Sequence, residues 1–112
     1  MPKKDLRAGI DIVEVSRIRK AAQRERFLKR VLTPEERTII GNNILKIAVS
    51  FALKEATWKA LPPAFQKKTY FQQIRILWDC PGCQIEIAGW KGKVNASWNY
   101  CQDVILAVVV LS

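Results

Sequence analysis

The chain has 112 residues, and its 19 lysines and arginines against 10 acidic residues give a formal net charge of +9. This length fits a single domain, residues 1–112, rather than two, and so basic a surface predicts an anionic partner such as a phosphate compound, a nucleic acid or an acidic protein. The absence of histidine excludes imidazole as base, acid or metal ligand, so proton chemistry must fall to carboxylates, lysine, tyrosine, cysteine or water. The hydrophobic share of 49% is generous for so small a core, and we expect part of it to lie between subunits.

The first predicted element is a β-strand, Arg7 to Val15, because RAGIDIVEV alternates and is rich in Ile and Val. Asp11 then faces opposite to its neighbours Ile10 and Ile12. Aspartate is disfavoured in strands, so it either caps the helix that follows or serves a function.

A basic helix is predicted from Val15 to Leu32, followed by a helix that starts at TPEE. Thr33 is the expected N-cap, with Pro34 in the first position and two acids near the positive end of the helix dipole. A break is expected near Gly41 to Asn43. The basic helix carries seven cations: Arg17, Arg19, Lys20, Arg24, Arg26, Lys29 and Arg30.

A long helix is predicted from about Ile44 to Leu61, ended by two prolines. Its apolar face also contains Glu55 and Lys59, one turn apart. An ionised, unpaired carboxylate there would cost several kcal/mol. Glu55 therefore pairs with Lys59, stays protonated, or meets a cation held nearby. That face comprises Ile44, Ile47, Ala48, Phe51, Ala52, Glu55, Ala56, Lys59 and Ala60.

The remainder is predicted to be β, which makes the fold α+β: an N-terminal strand, two to three helices and an antiparallel meander. Short turns at Pro81-Gly82 and at residues 91–93 favour antiparallel pairing. The last strand is apolar on both faces, so we place it centrally under the long helix. The four candidate strands are Tyr70–Trp78, Cys83–Trp90, Val94–Tyr100 and Asp103–Leu111.

Cys80 and Cys83 form a C-x-x-C pair, and Cys101 is the third cysteine. A zinc site needs about four ligands, and a redox pair normally sits where a strand meets a helix, so a plain turn fits this pair better. With no disulfide pattern, no apolar signal core and no run long enough to span a bilayer, we expect a cytoplasmic protein without a membrane partner.

Asp11 and Glu55 together suggest a metal site. If strand and helix pack so that both carboxylates meet one cation, they could hold Mg²⁺ together with phosphate oxygens. Lys59 could then contact a phosphate, an arrangement that supports phosphoryl chemistry without histidine.

Three stretches of the chain resemble the signatures of the holo-acyl-carrier-protein synthase family, the small 4′-phosphopantetheinyl transferases. They are GIDIVEVSRI, RFLKRVLTPEE and FALKEATWKAL, and their order and spacing agree with the family. The resemblance implies the transfer of 4′-phosphopantetheine from coenzyme A to a serine of apo-acyl carrier protein, releasing 3′,5′-ADP in fatty acid synthesis.

The resemblance also implies roles for single residues. Asp11 and Glu55 would be the Mg²⁺ ligands, with Glu55 also the base, directly or through a metal-bound water. Lys59, Lys54 and Tyr100 would contact coenzyme A, and Lys59 would help neutralise its phosphates.

For the carrier, the resemblance implies docking on the first helix through Arg17, Arg24 or Arg26, and Phe27. Larger, two-lobed relatives have a second acid two residues after the first, where this chain has Val13. The small class that this suggests forms homotrimers with sites between subunits.

Three positions depart from the usual family pattern, and all concern the hold on the cofactor. Ser50 replaces an arginine, Pro62-Pro63 stands where a glycine-rich turn is usual, and Tyr100 stands near the nucleotide in place of a histidine. One alternative is therefore a member with an altered cofactor pocket, specialised or inactive.

A non-enzymatic basic module for nucleic acid and a structural trimer subunit are further alternatives. The aromatic residues are not interleaved with basic ones on a strand face in an RNA-binding pattern, so we expect no nucleic-acid partner.

Overall fold

The computed structural model of the protein describes residues 5–78 and 84–112. In the described residues one strand is followed by a run of helices and then by a run of strands, a segregation typical of an α+β fold. A 3₁₀ turn, Phe71–Gln73, precedes the second strand. The elements in chain order are β1 (Arg7–Glu14), α1 (Val15–Ala21), α2 (Glu25–Val31), α3 (Pro34–Ile40), α4 (Ile44–Ala60), α5 (Pro63–Gln66), β2 (Ile74–Leu77), β3 (Gln84–Ile87), β4 (Val94–Cys101) and β5 (Val104–Leu111).

The main sheet has the order β1-β5-β4, with both pairs antiparallel. This confirms the prediction that the last strand is central. Alternate residues of β5 are buried against α4, which covers one face of the sheet. Ile10, Ile12 and Leu106 lie on the opposite face and are 40–67% exposed.

Helix α4 is buried around most of its circumference. The side-chain oxygen of Asn43 caps its N-terminus by accepting a hydrogen bond from the Lys46 N–H at 3.0 Å. At the other end, Arg7 Nε donates to the Ala60 carbonyl at 2.8 Å. The predicted apolar face is thus only part of its buried surface, because α1, β2 and the sheet all pack around it.

Helix α3 begins as predicted. Thr33 Oγ1 accepts from the Glu36 N–H at 3.1 Å, and Glu36 Oε1 accepts from the Thr33 N–H at 2.8 Å, with Pro34 in the first turn. This reciprocal pair satisfies two N–H groups that a helix start would otherwise leave unbonded.

The single basic helix predicted from Val15 to Leu32 is wrong, because the chain turns at residues 22–24 and forms α1 and α2. Ile18 and Val31 are both buried. In one straight helix they would point about 140° apart. With the short α5, the described residues contain more helices than the two or three expected.

The predicted meander is divided between two sheets in the described residues, since β2 and β3 pair with each other and not with β4. The turn expected at Pro81-Gly82 and the Cys80–Cys83 pair lie outside the described residues. Within the described ranges, no helix combines the length and apolar character needed to cross a membrane.

Gly9 lets β1 pass directly against α4. A Cβ built on Gly9 would overlap the carbonyl oxygen of Ala56 and would lie 3.0 Å from the Ala60 nitrogen. The contact is to backbone, which cannot move aside as a side chain can. Glycine at this position therefore sets the distance between strand and helix.

Gly9→Ala should lower the free energy of unfolding by at least about 3 kcal/mol, because overpacking here must displace backbone. Urea denaturation measures this. Gly41→Ala is the control, since the added methyl meets nothing within 4 Å and only the positive φ of 59° is strained, at about 1–3 kcal/mol. A Gly9→Ala cost no larger than that of Gly41→Ala would contradict the close approach.

Candidate functional site

Asp11 projects from β1 toward α4 and meets the end of that helix. The Asp11 side chain is 13% exposed, and its Oδ1 lies 2.9 Å from Lys59 Nζ. Its other oxygen, Oδ2, is buried and has no hydrogen-bond partner among the described residues. A buried carboxylate oxygen without a partner is costly, so this atom is poised to accept a cation or a donor.

Glu55 lies one turn before Lys59 on α4 and is partly buried. Within residues 5–78 and 84–112 it has no ion pair within 4 Å, because the Lys59 ammonium is held by Asp11 instead. Of the three alternatives for Glu55, the ion pair with Lys59 at i+4 is therefore not the one that forms. Asp11 and Glu55 line the same groove, and the positive charge of Lys59 acts on both carboxylates.

The proximity of these charged groups shifts the pKa values of Glu55 and Lys59. Burial raises the pKa of Glu55 above its usual value and the Asp11 carboxylate raises it further, while Lys59 and Arg30 oppose the shift. The hydrogen bond to Asp11 raises the pKa of Lys59, which keeps the ammonium charged.

Two carboxylates in this arrangement fit a hard divalent cation. Among the described residues, no cluster of three or more Cys, Asp or Glu side chains is placed to hold a metal. Asp11 and Glu55 would leave most coordination positions to water and a phosphate ligand, as Mg²⁺ sites usually do. The unpartnered Asp11 Oδ2 is the observation that supports this fit.

A groove of about 500 Å³ leads from the two carboxylates to the first helices, and Arg17, Phe27 and Phe51 line it. The Phe27 and Phe51 rings lie 5.7 Å apart. Arg24 and Arg26 are exposed on the adjoining surface. The structure thus brings all the predicted carrier-docking residues to one surface next to the predicted metal ligands.

A second recess opens on the other side of Glu55, with a volume of about 300 Å³. Phe51, Trp58 and Phe71 form its aromatic wall, and Arg30 lies at its edge. Arg30 had no predicted role beyond its place among the cations of the basic helix. Its position three residues after Phe27 could have placed it on the same helix face.

Lys54 requires a correction, because its predicted contact with coenzyme A is incompatible with its position. The side chain is fully buried, and its Nζ donates to Glu36 Oε1 at 2.6 Å and to the Val31 carbonyl at 2.7 Å. On α4 this residue points about 100° away from Glu55. Its charge is used inside the protein.

The structure keeps the predicted cofactor residue Tyr100 apart from Asp11 within one chain, and it buries Ser50, which departs from the family pattern. Tyr100 is 48% exposed on β4, on the same sheet face but two strands away, about 10 Å across the sheet. Ser50 is fully buried, and its Oγ accepts from Trp78 Nε1 at 3.3 Å. The contact of Tyr100 with coenzyme A stays a prediction.

Comparison with known proteins gives one consistent result. Residues 7–109 match the 4′-phosphopantetheinyl transferase superfamily. A holo-acyl-carrier-protein synthase of Solidesulfovibrio magneticus is 43% identical over 116 residues, covering 92% of this chain and 94% of the relative.

Two solved structures agree with this match. One is the holo-acyl-carrier-protein synthase of Helicobacter pylori in complex with coenzyme A, with 30% identity, a TM-score of 0.79 and coverage of 94% of this chain and 99% of that chain. The other is the Bacillus anthracis enzyme in complex with coenzyme A (3′,5′-ADP), with the same identity and TM-score and 94% coverage of both chains.

Asp11→Asn should lower the pKa of Glu55. Its neighbour's negative charge is removed, and the freed Lys59 can then face Glu55, so both changes favour the ionised form. A carboxyl-carbon NMR titration of the metal-free protein measures this pKa. Glu35→Gln, an exposed change on α3, is the control and should leave it unchanged.

The pKa of Glu55 also determines the direction in which protein stability changes with pH. Because the folded-state pKa of Glu55 is raised, its unfavourable contribution to stability appears as pH rises through that pKa and is absent below the ordinary value near 4.5. An unchanged or higher pKa in Asp11→Asn would contradict the proximity of the two carboxylates.

Proposed function

This chain belongs to the holo-acyl-carrier-protein synthase family of the 4′-phosphopantetheinyl transferase superfamily, and from this premise we propose that Asp11, Glu55 and Lys59 form its reaction site. The family's enzymes transfer phosphopantetheine from coenzyme A to acyl carrier protein. The observation that carries the assignment is the meeting of two carboxylates, one from β1 and one from α4, at the end of a groove that leads to a basic surface.

We propose that Asp11 and Glu55 hold Mg²⁺. When bound there, the ion would offset the negative charge of the coenzyme A phosphates. The support is the buried, unpartnered Asp11 Oδ2 beside a second carboxylate. Lys59, now paired with Asp11, has a flexible stem and 48% exposure, so it can turn to a phosphate when the carboxylate is otherwise engaged.

The transfer forms one bond and breaks another. The carrier's serine oxygen bonds to the β-phosphorus of coenzyme A, the bond from that phosphorus to the 3′,5′-ADP oxygen breaks, and the serine proton passes to Glu55. Glu55 lines the groove that leads to the docking surface and is therefore placed to accept this proton. Lys59 offsets the charge on the phosphates as the leaving group departs.

Incubation with coenzyme A, Mg²⁺ and apo-acyl carrier protein tests this function by mass spectrometry of the carrier. The wild type should add phosphopantetheine, and Asp11→Asn and Glu55→Gln should each slow the transfer by at least about a hundredfold. Glu35→Gln serves as control and should retain the wild-type rate. No transfer by the wild type, or full transfer by Glu55→Gln, would overturn the proposal.

We propose that the carrier docks through Arg17, Arg24, Arg26 and Phe27. The three arginines are exposed, and Phe27 packs against Phe51, the neighbour of the reaction site. Acyl carrier proteins are acidic, so this basic surface complements their charge and should guide their approach.

Reversing two of these charges, in Arg24→Glu/Arg26→Glu, should raise KM for the carrier about tenfold or more with little change in kcat, because the charges guide association rather than chemistry. Added salt should raise the wild-type KM as well. Lys91→Glu/Lys93→Glu makes the same change in net charge on a distant exposed turn and should leave KM near the wild-type value. Equal effects of the two pairs would rule out a local docking surface.

We propose that the protein is a homotrimer, with the uncovered face of the main sheet buried between copies. The support is the exposure of Ile10, Ile12 and Leu106 side by side on β1 and β5. A trimer would also bring the partner's sheet edges near each site, where Tyr100 could reach coenzyme A. Sedimentation equilibrium should give three times the chain mass, and a monomer would refute this assembly.

A further inference from the structure

The lysine beside Glu55 on α4 is buried with a carboxylate that the proposed reaction does not use. Lys54 is 0% and Glu36 4% exposed at the side chain, and their charged atoms lie 2.6 Å apart. The second hydrogen bond of Lys54 Nζ goes to the Val31 carbonyl, in the last turn of α2. A cation is favoured at that end of a helix.

Glu36 connects this ion pair to two further segments of the chain. Its Oε1 also accepts from the Thr33 N–H at 2.8 Å, and its Oε2 accepts from the Ile76 N–H at 2.7 Å. One ion pair thus joins the end of α2, the start of α3, the middle of α4 and strand β2. Each carboxylate oxygen is satisfied, so the buried network is complete on that side.

Stability alone does not account for such a pair. Removing two charges from water is costly, and replacing buried ion pairs by apolar residues of similar size is often neutral or stabilising. What the pair fixes is the geometry between two segments. Helix α2 carries Arg26, Phe27 and Arg30, and α4 carries Glu55, the residue next to Lys54.

We propose that the Lys54–Glu36 pair is a positioning device that holds the carrier-docking helix α2 in register with Glu55. The inference rests on the proposed function, because it assigns α2 to the carrier and Glu55 to the reaction. A shift of α2 past α4 would keep Arg26 and Phe27 together on α2, with Arg24 beside them, but would move the bound carrier's serine away from Glu55. Misplacement of about 1 Å is enough to cost large factors in rate.

The test replaces both charges with residues of similar size, in Lys54→Met/Glu36→Gln. With the carrier as substrate, kcat should fall at least about tenfold. The dissociation constant of the carrier, measured by fluorescence anisotropy, and the affinity for Mn²⁺ should stay within about twofold of wild type, because neither the α2 surface nor the two metal ligands is changed. A purely structural role would not produce this split.

The matched control is Arg75→Met/Glu86→Gln, which removes an exposed ion pair of 3.4 Å between β2 and β3 and should leave kcat unchanged. If Lys54→Met/Glu36→Gln does not fold, Lys54→Met alone is measured against the same criterion, since Glu36 keeps its hydrogen bonds from the Thr33 and Ile76 N–H groups. Wild-type kcat in the folded variant, or a loss of carrier binding equal to the loss of kcat, would overturn the positioning role. No transfer by the wild type would instead refute the proposed function.

Discussion

The site depends on the close passage of β1 over α4. Gly9 lies against the Ala56 and Ala60 backbone, and the alternation of the strand then points Asp11 toward the same helix two residues later. One turn of α4 separates Glu55 from Lys59, and the close passage of β1 brings both to Asp11, which lies 48 residues before Lys59 in the sequence. In the G-x-D pattern, Gly9 is therefore required for packing, and Asp11 carries the proposed function.

Helix α4 uses its two lysines in opposite ways. Lys59 reaches solvent and holds Asp11, where it remains exchangeable, whereas Lys54 is sealed in the core and holds Glu36. Burial lowers the pKa of Lys54, and the Glu36 carboxylate counteracts that effect. The same residue type thus supplies a mobile charge at the site and a fixed one behind it, and the surroundings of each side chain decide which.

Local sequence signals were sufficient to predict the elements that have clear start, stop or hydrophobic patterns. Thr33-Pro34 begins α3, the prolines after Leu61 end α4, and the apolar run of β5 is central, since each of these signals acts over a few residues. The break between α1 and α2 has no glycine or proline to mark it. It follows from tertiary packing, because α1 and α2 each bury one face, and in a single straight helix those two faces would point in different directions.

The proposed reaction site could be suggested from the sequence because two charged residues stood out against apolar patterns, Asp11 on a strand and Glu55 on a helix face. The partners were not predictable. Lys59 sits at the favoured spacing from Glu55 but bonds Asp11, and a helix buried nearly all round gives no sign of which side Lys54 will take. The partner of each lysine lies on a segment distant in the sequence, and the periodicity of one helix carries no information about such segments.

Joint binding of one cation by Asp11 and Glu55 is the claim on which the function rests. Titration with Mn²⁺ followed by electron paramagnetic resonance measures it directly in the wild type, Asp11→Asn, Glu55→Gln and the double variant. Loss of an outer partner already costs 10–100-fold in metal affinity, so each single change should cost at least about tenfold, and the double variant should lose little more. Wild-type affinity in either single variant, or losses that simply add, would contradict a shared ion.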